Sequence, residues 1–470
     1  MEDQWSRLGL DLHLVFGPAH GLRAGLEHAL REAVRDGRLS PGTPLPSSRM
    51  LARDLQVSRG TVTQAYDQLV AEGYLASRPR SGIRVADRPA AAPASIVLNP
   101  ATTLPLVGGA DLRSGLPDLS AFPRREWLAA TRHVMRTAPN TVFGYGDPAG
   151  STSLREALAE YLGRARGVVT TADRVFVCAG YTHALRLICR ALRVRGGSSI
   201  AFEDPAEPTY RALAAEMGLT VSHIPVDGDG LVVDRLSGES AVAVTPAHQY
   251  PLGVTLSSAR RTDLLGWAAR TGAFVIEDDY DGEFRYDRQP VGALQGLAPD
   301  RVVYAGTASK TVAPGLRIAW IVVPADLVRP LRSAMGWDEA YVNVVEQLVF
   351  AQLIRSGELD RHLRRCRIRY RRRRDRLGEA IARQVPSGRL SGIAAGLHAV
   401  LELPDTGLSE QRLLRHLARS GVTVDGIAYF YHRPADAPLG LVIGYATPPE
   451  HAYGNALDTL VAALRDRPPS

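Results

Sequence analysis

The sequence predicts a multidomain chain: a small, mostly helical N-terminal unit with a β-hairpin, a linker, and an α/β body ending in an α+β subdomain. Three observations carry this. Residues 20–78 hold short amphipathic helical patterns separated by Pro- and Gly-punctuated turns. Residues 87–110, DRPAAAPASIVLNPATTLPLVGGA, are rich in Ala and Pro and read as a partly extended linker. From Asp111 onward, short apolar β-rich runs alternate with helical stretches.

The bulk numbers narrow the class. A chain of 470 residues with 45% hydrophobic and 22% charged content has the length for two or three domains and a large core. The opening MEDQWSRLGLDLHLVFG lacks a basic start followed by an apolar block, and no run is long enough to span a bilayer. The expectation is a soluble, cytoplasmic protein with no membrane partner. Three widely spaced cysteines (Cys178, Cys189, Cys366) suit neither a disulfide framework nor a zinc site, and no metal ligands are expected. The net charge of +7 is local in origin: residues 361–376, RHLRRCRIRYRRRRDR, hold ten arginines and one aspartate. That stretch reads as a helix with Ile368 and Tyr370 as its few apolar anchors. It is a solvated face laced by neighbouring acids, a second DNA contact, or a dimer contact.

In residues 15–86 a first helix is marked by Leu22, Leu26, Ala29, Leu30 and Ala33. After LSPGTPLPS, Ser47 is placed to N-cap a short helix with Leu51, Ala52 and Leu55 inside. A second short helix follows VSRGTV, with Val62, Ala65, Leu69 and Val70 on its apolar side and Gly73 as its C′ residue. YLASRPRSGIRVAD then forms a small hairpin with Arg78 and Arg80 beside its tip and Ser81-Gly82 in the turn. Two short helices around a tight turn, followed by a hairpin, make a winged helix-turn-helix. SPGTPLPSSRMLARDLQVSRGTVTQAYDQLVAEGYL also resembles the DNA-binding domain of the GntR regulators, over about residues 20–86. The resemblance implies a double-stranded DNA operator as partner, with the helix starting near Arg59 in the major groove. It implies DNA contacts from Arg49 and Arg59, bases or phosphates facing Thr61, Thr63 and Gln64, and a wing (Arg78, Arg80) touching the neighbouring groove. Such roles suit the chemistry, because arginine grips a guanine edge in bidentate fashion and hydroxyls bond phosphate oxygens.

In residues 111–470 the runs VFVCAG, SIAFEDP, AVAVTP, FVIEDDY, VVYAGTA and IAWIVVP read as strands of a largely parallel sheet. After about residue 385, GLHAVLEL, GVTVDGIAYF and LGLVIGYA suggest the smaller subdomain, 385–470. Within this body lies Lys310, the only lysine among 56 basic residues. A GC-rich composition explains the missing lysines but not the survivor. Arginine replaces lysine wherever a charge suffices; it cannot supply a neutral amine to attack a carbonyl. Strand ends in such sheets line a shared crevice, and other candidates sit at strand ends. Asp278 (with Glu277 and Asp279 as alternatives of register) and Tyr280 close one, and Thr307, Ser309 and then Arg317 flank the lysine. Gly180-Tyr181-Thr182 opens a helix whose free N–H groups suit a phosphate. An amine, a carboxylate for a pyridine nitrogen, a phenol and a phosphate cup are what pyridoxal 5′-phosphate (PLP) requires.

YGDPAG, EDP, TPAHQYPLG, IEDDYD and GTASKT with GLR resemble, in order, the class I aminotransferase fold, PLP fold type I. The resemblance implies Lys310 as the lysine that binds the cofactor carbonyl, Asp278 as partner of the pyridine nitrogen and Tyr280 as partner of the phenolic oxygen. It implies Gly180, Tyr181, Thr182, Thr307, Ser309 and Arg317 as the phosphate site. A GntR head on such a body resembles the MocR subfamily of bacterial regulators over nearly the whole chain. That implies a PLP-bound transcription factor, a homodimer with exchanged heads; our reading is that it responds to PLP or a small amine, with no catalytic residues in use. The other reading is a working aminotransferase with an accessory DNA-binding head. Two departures disfavour it: Glu207 stands where the family places an aromatic over the cofactor, and Val442 where it places a carboxylate-binding arginine.

Overall fold

The structure, a computed structural model, describes residues 21–78, 82–87, 109–286, 291–335 and 342–466. The chain divides into two compact units between Thr102 and Thr103.

The first unit has helices Leu22–Arg35, Ser48–Asp54 and Arg59–Ala71, and an antiparallel hairpin, Leu75–Arg78 with Gly82–Val85. Ser47 and Ser58 cap the second and third helices, each accepting a backbone N–H three residues on. Such a cap contributes about 1 kcal/mol. Gly73, at φ +77°, turns the chain after the third helix in a conformation that costs a glycine nothing. Leu26, Leu30, Ala33, Leu51, Val62, Ala65 and Leu69 meet Leu75 and Val85 of the hairpin in one core. One expectation needs correction, and one core residue was not expected. Leu22, in the first turn, is 61% exposed. Tyr66, polar enough to be passed over, is buried because its hydroxyl donates to the Pro46 carbonyl at 3.0 Å.

The second unit is built on an eight-stranded sheet. Its order is Val175–Cys178, Ala319–Val322, Val302–Thr307, Phe274–Asp278, Ala241–Val244, Ser199–Asp204, Thr220–Asp227 and Gly230–Leu231. The central pairs are parallel; Ala319–Val322 runs antiparallel to both of its neighbours. Val175–Cys178, Ala241–Val244 and Val302–Thr307 are buried on both faces and read as unbroken apolar runs for that reason. A second, antiparallel sheet has the order Arg389–Ser391, Ala399–Glu402, Gly440–Ile443, Asp425–Gly426. Ala110–Asp111 pairs in parallel with Val422–Thr423, so the start of the body is stitched to its end. No local periodicity reports so distant a pairing.

The Arg-rich helix, Glu358–Gln384, is 27 residues long and packs against the helices Val344–Arg355 and Tyr453–Arg465. Leu359, Leu363, Cys366, Tyr370, Leu377 and Ile381 form its buried stripe. Ile368, expected as an anchor, points to solvent at 68% exposure. The helix is instead anchored by an arginine: Arg373 is 1% exposed, its guanidinium held by Asp118 at 2.9 Å and Glu450 at 2.8 Å. Arg365 pairs with Glu126 and Arg369 with Asp118 and Glu450, which is the lacing by neighbouring acids. All three cysteines are buried free thiols. Among the described residues no helix is long and apolar enough to cross a membrane.

Candidate functional site

Register assembles the site. Ala305 lies opposite Asp278, Thr307 opposite Ala319, and Ala319 opposite Cys178. The ends of Val175–Cys178, Phe274–Asp278 and Val302–Thr307 therefore share one edge of the sheet. A cavity of about 320 Å³ lies there, lined by Tyr181, Asp278, Tyr280 and Lys310, and also by Ser114, Gly115, Glu203, Glu207, Tyr210, Tyr250 and His398. Four of the nine residues expected at a cofactor site line this cavity together.

Strand alternation settles which acid faces inward. The Glu277 carboxylate accepts the backbone N–H groups of Leu294 (2.9 Å) and Gln295 (3.0 Å). Asp279 takes Arg166 at 2.6 and 2.9 Å and the Tyr304 hydroxyl at 2.7 Å. Asp278 alone of the three lines the cavity. Burial, and next the charge of Asp279, holds its carboxyl well above the usual carboxylate range, with Lys310 pulling the other way. Burial lowers the Lys310 ammonium, against the attraction of Asp278, and so favours the neutral amine that can react with a carbonyl. The amine donates to the Gly115 carbonyl at 2.5 Å.

The other five residues frame the edge beside the cavity. Gly180, at φ +95°, precedes the helix Tyr181–Val194, whose N-terminus no side chain caps. Thr182 is exposed in its first turn. The Arg317 guanidinium donates to the Ala179 carbonyl and lies over Gly180 so closely that a Cβ there would sit 2.7 Å from its Nη2. Arg317 itself adopts φ +53°, an uncommon conformation for a residue with a side chain. The Thr307 hydroxyl donates to Ser309 Oγ at 2.9 Å and accepts the Ser309 N–H at 3.1 Å. A glycine cradle under a guanidinium, beside an uncapped helix N-terminus and two hydroxyls, is a donor set for a phosphate dianion.

Several lining residues were not singled out from sequence. Tyr250 lies within HQYPLG, and its hydroxyl is 2.7 Å from Ser114 Oγ. His248 and Asp281 lie behind Tyr280, with His248 Nδ1 2.8 Å from Asp281 and 3.0 Å from the Tyr280 hydroxyl. His398, in GLHAVLEL, was legible only as part of a strand. The two departures also have places. Glu207 lines the cavity and N-caps the helix Pro208–Glu216, accepting the Thr209 hydroxyl at 2.7 Å. Tyr210, one turn on, packs against Tyr181 with ring centroids 4.7 Å apart. Val442 is fully buried in the small subdomain with Val400, Ile427 and Phe430. Arg211 is held by Asp204 at 3.3 Å and by the Phe430 carbonyl at 2.9 Å.

In the first unit, Arg49, Arg59, Thr63, Gln64 and Arg78 are exposed and Thr61 is half-buried. Arg59 opens the third helix. The Thr63 hydroxyl donates to the Arg59 carbonyl at 3.0 Å, leaving its oxygen as an acceptor. Arg78 lies 3.6 Å from Asp87, an exposed pair that phosphate can outcompete. Arg80 and Ser81 lie outside the described residues.

Residues 22–85 match the family "Bacterial regulatory proteins, gntR family", and residues 110–450 match "Aminotransferase class I and II". The chain is 33% identical over 441 residues to the HTH-type pyridoxine biosynthesis transcriptional regulator PdxR of Corynebacterium glutamicum, covering 93% of this chain and 95% of that one. It is 32% identical over 444 residues to the probable rhizopine catabolism regulatory protein MocR of Rhizobium meliloti, covering 90% and 89%. The chain belongs to the MocR-type subfamily of GntR regulators. Its body is similar to Pyrococcus horikoshii kynurenine aminotransferase, solved with PMP, at 26% identity and a TM-score of 0.69 over 77% of this chain and 92% of that one. This MocR-type protein is therefore a PLP-dependent, DNA-binding transcriptional regulator. The residues around its cavity fit that cofactor. When bound, PLP supplies a carbonyl for an amine and a ring that withdraws electrons. Lys310 and Asp278 both line the cavity, beside two adjacent strand ends.

Proposed function

We propose that the aminotransferase-like body senses PLP, or a small amine that reacts at the PLP carbonyl, and passes its occupancy to the DNA-binding unit. In this reading Lys310 holds the carbonyl carbon, Asp278 the pyridine nitrogen and Tyr280 the phenolic oxygen. Arg317, Thr307, Ser309 and the backbone of Gly180, Tyr181 and Thr182 hold the phosphate. The observation that carries sensing over turnover is the charge of the lining. Glu203 and Glu207 both face the cavity, and among the described residues no arginine lines it. Burial raises the Glu203 pKa to about 7, and Glu207 adds a second carboxyl group to the same lining. An α-amino acid entering such a site meets repulsion where an enzyme would offer its carboxylate a guanidinium fork.

Arg49, Arg59, Thr61, Thr63, Gln64, Arg78 and Arg80 are the proposed DNA contacts, and the cytoplasm, where operator DNA is, the proposed location. A homodimer with exchanged heads is the proposed assembly. Supporting it, Leu128, Met135, Phe143 and Tyr145 are exposed apolar or aromatic side chains of the body that a partner protomer would cover. The testing experiment measures operator affinity with and without PLP, with no amino acid present, and then the absorbance of the PLP-loaded protein after adding common amino acids. A change in affinity with PLP and no conversion to the pyridoxamine form are expected. Rapid conversion by any common amino acid overturns sensing in favour of an aminotransferase with an accessory head.

A further inference from the structure

Behind Tyr280 lies a buried chain of polar groups that the cofactor roles leave unused. His248 Nδ1 is 2.8 Å from Asp281 Oδ2 and 3.0 Å from the Tyr280 hydroxyl. His248 is 3% and Asp281 2% exposed. One ring nitrogen thus faces two neighbours and carries at most one proton. A carboxylate only accepts, so Asp281 selects the tautomer with its proton on Nδ1. That nitrogen then has no lone pair for Tyr280, so the phenol O–H is withheld from the histidine and is shared between the Asp281 carboxylate and an acceptor in the cavity. In the opposite tautomer Tyr280 would donate to His248 and turn only lone pairs outward.

The packing holds this arrangement. A Cβ at Gly396 would lie 2.3 Å from His248 Cε1 and 2.4 Å from Asp281 Oδ2, and one at Gly253 would lie 3.2 Å from His248 Nε2. Both glycines have φ near +73°, so a side chain is excluded by backbone as well as by space. The other titratable or charged groups facing the pair are Asp278, Glu283, Tyr250, Tyr286, His398, the guanidinium groups of Arg166 and Arg285 and, across the cavity, Lys310. The Tyr250 ring meets Tyr280 edge-on at 5.7 Å, and His398 lies 5.1 Å from His248. His398 donates its Nε2 proton to the Pro251 carbonyl at 3.0 Å. Burial, and next His248, pushes its pKa down to about 4, so it adds no charge near neutral pH.

We propose that His248 and Asp281 are positioning residues that turn the Tyr280 hydroxyl into the cavity as a donor to the phenolic oxygen of bound PLP, and thereby set the pH at which the bound chromophore loses its proton. This rests on the reading that the cavity holds PLP against Tyr280. A donor on that oxygen stabilises its anion, which lowers the pH of deprotonation; losing the donor raises it.

The test is a visible-absorbance pH titration of the PLP-loaded full chain. His248→Asn keeps an N–H close to the Nδ1 position, whereas His248→Gln moves the amide to the Nε2 side and strips Asp281 of its donor. The midpoint is expected to rise by about one pH unit in His248→Gln, as in Tyr280→Phe, and to stay near wild type in His248→Asn. The double variant His248→Gln/Tyr280→Phe is expected to match Tyr280→Phe alone, because both changes remove one interaction. An unchanged midpoint in His248→Gln, or a shift that adds to that of Tyr280→Phe, overturns the proposal. If His248→Gln does not fold, Asp281→Asn is titrated in its place with the same two criteria. A wild type with no visible band in excess PLP overturns instead the cofactor reading on which the proposal stands.

Discussion

Replacing Arg373 with methionine removes a cation from the centre of the Arg-rich helix while keeping an apolar side chain of similar reach. The arginine is 1% exposed, and so is its partner Asp118. Its Nη1 also donates to the carbonyls of Pro448 at 2.7 Å and Ala446 at 3.0 Å. Breaking a buried pair by removing one partner costs about 3–5 kcal/mol, because the other charge stays buried and uncompensated. Asp118 keeps the Ser120 hydroxyl at 2.5 Å and Arg369 at 3.6 Å, which points to the lower end, about 3 kcal/mol. Arg372, next in sequence, pairs with the same Glu450 but is 61% exposed, so Arg372→Gln is worth less than about 1 kcal/mol. Urea unfolding followed by tryptophan fluorescence reads the body, since Trp267 and Trp320 are both buried there. Arg373→Met/Asp118→Leu is expected to recover most of the loss, since an apolar pair of similar volume replaces the ionic one. If Arg373→Met and Arg372→Gln shift the transition alike, Arg373 is one more surface charge and the helix is anchored by its apolar stripe alone.

Lys310→Arg keeps the charge and removes the reactive amine, so the visible PLP band and its borohydride-fixed product are expected to vanish together in absorbance and peptide mass spectra. Burial holds the Lys310 ammonium below the ordinary 10.5; the rate at which PLP-free protein takes up PLP is therefore expected to rise with pH through a midpoint below 10.5, and a midpoint at or above it refutes the burial argument. Arg59→Ala is expected to cost about 1–3 kcal/mol of site-specific affinity in a gel-shift titration. Arg364 and Arg371, exposed on the outer side of the long helix, changed together to Gln, are expected to leave the salt dependence of DNA binding unchanged, since the solvated-face reading gives them no phosphate; a flatter slope would establish a second DNA contact.

Much of this fold was legible because its strands and helices declare themselves locally. The doubly buried strands read as short apolar blocks, and the winged unit as short amphipathic helices, the second of them capped by Ser47. What escaped was set by distance. Ala110–Asp111 finds its partner at Val422–Thr423, across the whole body. Arg373 is a surface residue by type and becomes a core residue only because Asp118 and Glu450, far off in sequence, converge on it. Ile368 fails as an anchor for the complementary reason: it sits about half a turn out of phase with Leu363, Cys366 and Tyr370, and period outranks hydrophobicity in deciding which side of a helix is buried.

The site shows the same division between near and far. The strand Phe274–Asp278 ends at the acid that lines the cavity, and the alternation, continued two residues past its end, turns Glu277 and Asp279 to one side and Asp278 and Tyr280 to the other. Two-residue periodicity therefore selects Asp278 once it is known which face carries Lys310, and that knowledge came only from the register of Ala305 opposite Asp278. Asp281 lies just past the strand, where alternation no longer applies, and so could turn back to meet His248 beneath Tyr280. The consecutive acids and the tyrosine of IEDDYD thus do three separable jobs: Glu277 and Asp279 fasten the strand to its neighbours, Asp278 faces the cavity, and Asp281 governs the proton of the histidine behind Tyr280. A charge-removing change at Glu277 or Asp279 should accordingly be felt first as stability, and one at Asp281 first as a change in the pH profile of the bound cofactor.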